Sequence, residues 1–232
     1  MTQRDDFAFV VPLYTFAEAA RFVGVPTSTF TTWAKGYERH PAGRRKVIGH
    51  PIVASLPGKP GHAAIPFVGL AEAMILAAFR RAGVSLQHIR AAVDILEREI
   101  GVDHALASRK LFTDGAVILF DYAEASRDSE LTEVVSRQGV FQPVIAAYLE
   151  RIEYGSDGWP VRVISPATER PVMVADPARS FGQPIFIRGA ARVEDVLDRW
   201  RSGEALSSVA DDFGVPVEDV EAALRVVLPA AA

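Results

Sequence analysis

The sequence predicts an α+β fold, mainly α, with a helix-turn-helix unit near each end and small β-hairpins between them. Three observations carry that expectation. Helix-friendly runs reach a Gly-Val turn and restart at Arg21-Phe22-Val23-Gly24-Val25-Pro26, Ala82-Gly83-Val84-Ser85 and Asp212-Phe213-Gly214-Val215-Pro216. In such a corner glycine enters the left-handed region that closes a helix, valine packs into the bend, and Pro or Ser suits the start of the next helix. Apolar residues recur at helical spacing on both sides of these turns, while Ser156-Asp157-Gly158 separates two short β-type runs.

Taken in order, Thr15 is expected to cap a helix over 16–23, with Glu18 completing a capping box. Thr27 is expected to cap a second helix to Lys35, with Phe30 and Ala34 facing inward. From 36 to 67, prolines and glycines break any helix and leave room only for short strands. Val47-Ile48 or Ile52-Val53, paired with Ala64-Ile65, would form a hairpin whose loop carries Lys59 and His62. Gly69 to Ala82 reads as an amphipathic helix ending in Arg80-Arg81, and Ser85 caps the next, with Ile89, Val93, Leu96 and Ile100 in register. Lys110-Leu111-Phe112 and Val117-Ile118-Leu119-Phe120 around Thr113-Asp114-Gly115 predict a second hairpin. The polar stretch from Tyr122 to Glu130 suggests a division into units 1–126 and 127–232. Beyond it come a helix over 144–149, the hairpin 151–154 with 160–164, strands at 172–174 and 185–187, and three closing helices over 193–201, 206–213 and 217–228.

At 232 residues and 49% hydrophobic, the chain can bury a substantial core. It holds no cysteine, which excludes disulfides and thiolate metal sites. The N-terminal residues lack an apolar signal region and no run approaches the roughly 18 apolar residues of a membrane span, so a cytoplasmic protein without membrane contact is expected. The net charge of −4 conceals a polarity. Residues 33–62 hold Lys35, Arg39, Arg44, Arg45, Lys46 and Lys59 against Glu38 alone, a net of +5 that leaves −9 for the remainder.

A basic patch on an acidic body suits phosphate attraction within about one Debye length, ~8 Å. Ser28, Thr29, Thr31, Thr32 and Lys35 lie on the outer face of the second helix, where small hydroxyls can approach base edges. The basic hairpin after it reads as a wing. These residues, with Arg39, Arg44, Arg45, Lys46 and Lys59, form the candidate DNA-binding set, acting on double-stranded operator DNA as a homodimer. Thr31, Thr32 and Lys35 would enter the major groove, and Arg44, Arg45 and Lys46 would contact phosphates.

Tyr14 to Lys35 and Ile65 to Ile100 resemble a winged helix-turn-helix domain of the MerR type, with Thr31 and Thr32 where such helices usually carry Arg and an aromatic. The segments Val172-Met173-Val174-Ala175-Asp176-Pro177, Phe181-Gly182-Gln183-Pro184 and Arg188-Gly189, then Gly203, Val209-Ala210, Phe213-Gly214-Val215 and Val220-Glu221-Ala222-Ala223-Leu224, resemble the antitoxin-like domain of VapB-type proteins. That resemblance implies a toxin-antitoxin pair in which the partner is a PIN-domain ribonuclease, its carboxylates gathered around a hard divalent cation. The chain ends Leu228-Pro229-Ala230-Ala231-Ala232 without a basic tail, so Arg188, Arg192, Arg199 and Arg201 would pair with the toxin's carboxylates, and Trp200 and Leu197, with Val196, would supply an apolar anchor.

No catalytic constellation is visible. His40, His50, His62, His88 and His104 show no metal-ligand spacing, Gly58-Lys59-Pro60-Gly61 lacks the phosphate-loop pattern, and no Gly-x-Ser-x-Gly occurs. A non-enzymatic protein without metal or cofactor is expected. The competing expectation is an effector-responsive regulator whose C-terminal half senses a small molecule; a nucleic-acid enzyme is a third class that a divalent-ion-dependent nuclease assay would test.

Overall fold

The computed structural model describes residues 3–40, 46–136 and 138–228. A first helix not expected from the pattern, α1 (Gln3–Val10), leads into α2 (Phe16–Val23) and α3 (Thr27–Lys35). The capping box forms as expected: Glu18 N–H donates to Thr15 Oγ1 at 3.2 Å and Thr15 N–H donates to Glu18 Oε2 at 2.7 Å. Gly24, at φ 77°, makes the corner. Thr27 is not the cap of α3; Pro26 occupies that position and Thr27 is the first helical residue, because proline's fixed φ and missing N–H already suit the entry.

Strands β1 (Tyr37–Arg39) and β2 (Val47–Gly49) form an antiparallel hairpin. The expected pairing with Ala64-Ile65 does not occur. Ile65 instead bridges Tyr14, and the partner of Val47-Ile48 is the chain leaving α3. Gly36 makes that exit possible, since a Cβ there would stand 2.3 Å from Gly49 O.

Helix α4 (Phe67–Arg81) is buried at every position from Phe67 to Phe79, and it forms the axis on which the other elements pack. Helix α5 (Leu86–Ile100) follows the Gly83 turn with Ser85 as its cap, and one face, including Ile89, Val93, Leu96 and Ile100, is buried. The second expected hairpin is a helix. After a short 3₁₀ turn at Ala105–Ala107, a wide turn at Leu111–Gly115 runs directly into α6 (Ala116–Ser126). Gly115 has helical angles (φ −62°, ψ −33°) and makes no turn. Leu111, Gly115, Ala116, Leu119, Phe120 and Ala123 are buried while Phe112 and Val117 are exposed, a stripe of helical period. Burial of that stripe overrides the strand preference of Val117-Ile118-Leu119-Phe120. Helices α7 (Ser129–Val134) and α8 (Pro143–Leu149) complete this layer, with α8 against α4.

The second half carries a four-stranded antiparallel meander of β3 (Ile152–Tyr154), β4 (Pro160–Ile164), β5 (Met173–Ala175) and β6 (Ile185–Phe186). It ends in α9 (Val193–Arg201), α10 (Leu206–Phe213) and α11 (Val217–Val227), with the Gly214-Val215 corner between the last two. One hydrophobic core runs from the N-terminal helices into this half. Buried hydrogen bonds tie them as well: Ser165 Oγ to Phe22 O (2.5 Å) and Tyr14 Oη to Gly182 O (2.6 Å).

Candidate nucleic-acid interface and partner-facing surface

Helices α2 and α3 meet through Ala19, Ala20, Phe22 and Val23 on one side and Phe30, Trp33 and Ala34 on the other. Consuming those positions in the core turns the rest of α3 outward. Ser28 and Lys35 are exposed, and Thr29, Thr31 and Thr32 are half-buried. Thr31 and Thr32 each donate a hydroxyl hydrogen to the carbonyl four residues back, Thr27 O at 2.8 Å and Ser28 O at 2.9 Å. Each oxygen thus remains an acceptor for a base amino group. Lys35 Nζ stands 4.8 Å from the Phe16 ring centroid, which holds the ammonium at the end of α3.

The β1–β2 hairpin is anchored to the body by Arg90, whose Nε donates to His50 O at 2.9 Å and whose guanidinium lies 4.9 Å from the Tyr37 ring centroid. The returning chain is fixed to α3, because Ile52 and Val53 N–H donate to Trp33 O at 2.8 and 3.2 Å and Ser55 Oγ to Ala34 O at 3.0 Å. Lys46 is exposed and pairs with Glu38 at 2.7 Å; His40 reaches the same carboxylate at 3.3 Å. Arg39 lies in β1 by its backbone, and Arg44 and Arg45 fall outside the described residues. Lys59, exposed, is not on the hairpin; it sits in a separate loop closed by Leu56 N–H to Ala64 O at 2.7 Å.

Behind the hairpin lies a cavity of about 480 Å³ reached by Glu72, Arg90, Glu97 and His104. Glu72 projects from the central helix and is 3% exposed; it accepts from Ala54 N–H at 2.6 Å and pairs with His104 Nδ1 at 2.8 Å. The hydrogen bond to Glu72 holds His104 above its ordinary pKa, and burial pushes the Glu97 carboxyl up. Sequence reasoning missed this group. Its one visible signal was a lone Glu within the otherwise apolar run of α4.

At the other end, α9 buries Val193, Val196 and Leu197 and leaves Arg192 and Arg201 exposed, with Arg199 and Trp200 half-buried. Leu197 is therefore a core residue. The arginines are engaged within the chain. Arg188 grips the buried Asp219 with two hydrogen bonds of 2.7 Å and reaches Glu218 at 3.0 Å, and Arg170 joins Asp219 at 3.0 Å. Arg199 pairs with Glu204 and with Asp212, Arg201 with Glu194 and Asp198, and Arg192 with Asp195. Carboxylate hydrogen bonds raise the Arg188, Arg199 and Arg201 guanidinium pKa values further still. Among the described residues, no cluster of His, Asp or Glu suits a metal ion, and no helix is long and apolar enough to cross a membrane.

Comparison with known proteins fits this layout. Residues 12–93 match the family described as "Putative DNA-binding HTH domain", and residues 173–225 match "Protein of unknown function (DUF433)". The chain is 43% identical over 231 residues, 96% of each protein, to "Putative antitoxin VapB45" of Mycobacterium tuberculosis. It is 23% identical to "Uncharacterized protein Rv2308" of the same organism, over 91% of this chain and 88% of that one. The crystal structure of Rv2018 from Mycobacterium tuberculosis superposes with a TM-score of 0.77 at 41% identity, over 94% of this chain and 99% of that chain. With such identity along nearly its whole length, the chain belongs to the VapB-type antitoxin family and carries a helix-turn-helix domain at its N-terminal end.

Proposed function

We propose that this chain is the antitoxin of a type II pair, a non-enzymatic cytoplasmic regulator that neutralises a PIN-domain ribonuclease toxin and binds operator DNA as a dimer to repress its own transcription. Labour divides between residues 1–126, the MerR-like DNA-binding unit, and residues 127–232, the toxin-binding unit. The observation that carries the reading is the outward face of α3, furnished with Ser28, Thr29, Thr31, Thr32 and Lys35 and followed at once by the strands Tyr37–Arg39 and Val47–Gly49; Arg44 and Arg45, which fall between them in the sequence, and Lys46 complete the proposed DNA-binding set. Lys59 adds a positive charge on its own loop. The toxin-facing set is Arg188, Arg192, Arg199, Trp200 and Arg201, with Leu197 beneath them as the packing that fixes α9. Because Arg192 and Arg201 already hold internal carboxylates, toxin binding there proceeds by exchange, with the toxin's carboxylates taking the place of exposed Glu194, Asp195 or Asp198. Exchange at exposed pairs costs little, since each is worth at most about 1 kcal/mol.

Co-expression with the product of the neighbouring gene tests this reading. A stable complex whose ribonuclease activity is lost, and regained when Arg192, Trp200 and Arg201 are replaced by Ala, supports it. A chain that stays free, alongside an uninhibited ribonuclease, contradicts it. The cavity behind the hairpin favours a second reading, an effector-responsive regulator, with the pocket against the DNA-binding unit rather than in the C-terminal half. A small molecule that changes DNA affinity of the chain alone would support that alternative.

A further inference from the structure

Phe181 is 82% exposed, the most exposed of the large hydrophobic side chains described. It and Ser180 both have positive φ (52° and 47°), a conformation that side-chain-bearing residues adopt at a cost. The turn is held there from below: buried Tyr14 Oη donates to Gly182 O at 2.6 Å and Gln183 Nε2 donates to Leu13 O at 2.9 Å. A fold that pins two strained residues in order to hold a phenyl ring in water has placed an anchor. Beside it opens an apolar groove of about 460 Å³ walled by Phe7, Phe9, Trp159, Val161, Pro177 and Phe181 itself. Two of its walls meet, with the Phe9 and Trp159 rings edge-to-face at 4.9 Å. Val161 in its wall is 42% exposed.

We propose that this face joins two copies of the chain, with Phe181 of each copy seated in the groove of the other. Protruding ring and receiving groove lie side by side on one surface, which is what a two-fold contact requires, since a single rotation satisfies both at once. A different protein would need only one of the two features. The rim charges fit the same arrangement: exposed Asp157 borders the groove and exposed Arg179 precedes the Phe181 turn, so a two-fold brings opposite signs together. Dimerisation here also supplies the paired recognition helices that operator half-sites demand.

The proposal rests on the dimer in the proposed function and names its surface; sedimentation of the full chain without DNA or toxin tests it, and toxin neutralisation, read separately by co-expression, does not depend on the outcome. At about 10 µM the wild type sediments as a dimer, and Phe181→Asp weakens association at least ~30-fold, as loss of a central aromatic anchor does. Phe181→Gly is the control for folding. Glycine relaxes the positive φ, so this variant loses the dimer while its thermal unfolding temperature, compared at a dilution where the wild type is monomeric too, holds or rises; a ring that served the monomer's own packing would lower it. A wild type that remains monomeric, or a Phe181→Asp variant that still dimerises with undiminished affinity, overturns the proposal.

Discussion

Replacing Glu72 with Ala removes a carboxylate from the centre of α4 and strands what it holds. Ala54 N–H, bonded to Glu72 at 2.6 Å, loses its carboxylate acceptor in a half-buried position, which costs about 1.5–3 kcal/mol. His104, a third exposed, loses its partner at 2.8 Å, worth about 1 kcal/mol or less after solvent screening. Because the site borders a cavity, a further void term is small, and the total is about 3 kcal/mol, a large share of a typical 5–15 kcal/mol stability. Urea unfolding reads this as a lower midpoint with an unchanged slope. Glu72→Gln, which keeps an acceptor for Ala54, costs about 1 kcal/mol. His104 adds a pH dependence. Its folded pKa lies above the ordinary 6.5, so the pair's contribution is full below that value and disappears as pH rises through the raised folded value. The gap between wild type and Glu72→Ala therefore narrows by up to about 1 kcal/mol as pH rises from below the ordinary histidine value to above the raised folded one. A loss below about 1 kcal/mol, or equal losses for Gln and Ala, would refute the assignment.

Two further outcomes follow from the same geometry. Asp219→Ala leaves Arg188 and Arg170 without their buried carboxylate and lowers stability by about 2–3 kcal/mol, less than a wholly buried pair because both guanidiniums are half exposed; calorimetry measures it. Thr15→Ala breaks the capping box of α2 and costs about 1 kcal/mol in chemical unfolding, with no added loss when Glu18→Ala is combined with it beyond a few tenths.

Local chemistry was the most legible part of this sequence. Thr15, Glu18 and Gly24 specify the start and end of α2 with groups only a few residues apart, and Ser85 does the same for α5. Where long-range packing decides, the sequence misleads. Val117-Ile118-Leu119-Phe120 carries strand-like residues, yet the burial of Leu111, Leu119 and Ala123 imposes a helix. Of the hairpin only Val47-Ile48 is legible as a strand; its partner Tyr37–Arg39 carries no strand signal of its own, and the Gly36 contact that selects it is a tertiary matter. The outward face of α3 followed directly from Phe30 and Ala34 at i, i+4. By contrast, the ion-pair network around Asp219 joins residues 30 apart or more, and no spacing rule reveals it.

On the proposed function, α3 and the adjoining hairpin grip a duplex. Fluorescence anisotropy on a duplex from the region upstream of the chain's own gene, across a series of salt concentrations, tests it most directly. Each lost phosphate contact lowers the log–log salt slope by about 0.9, so replacing Arg44, Arg45 and Lys46 together with Ala should flatten it by about 2–3 and weaken binding to all sequences alike. Thr31→Ala with Thr32→Ala should instead alter preference among sequences and leave the slope in place. A slope and affinity unchanged by both sets of substitutions would remove α3 and the hairpin from any DNA interface.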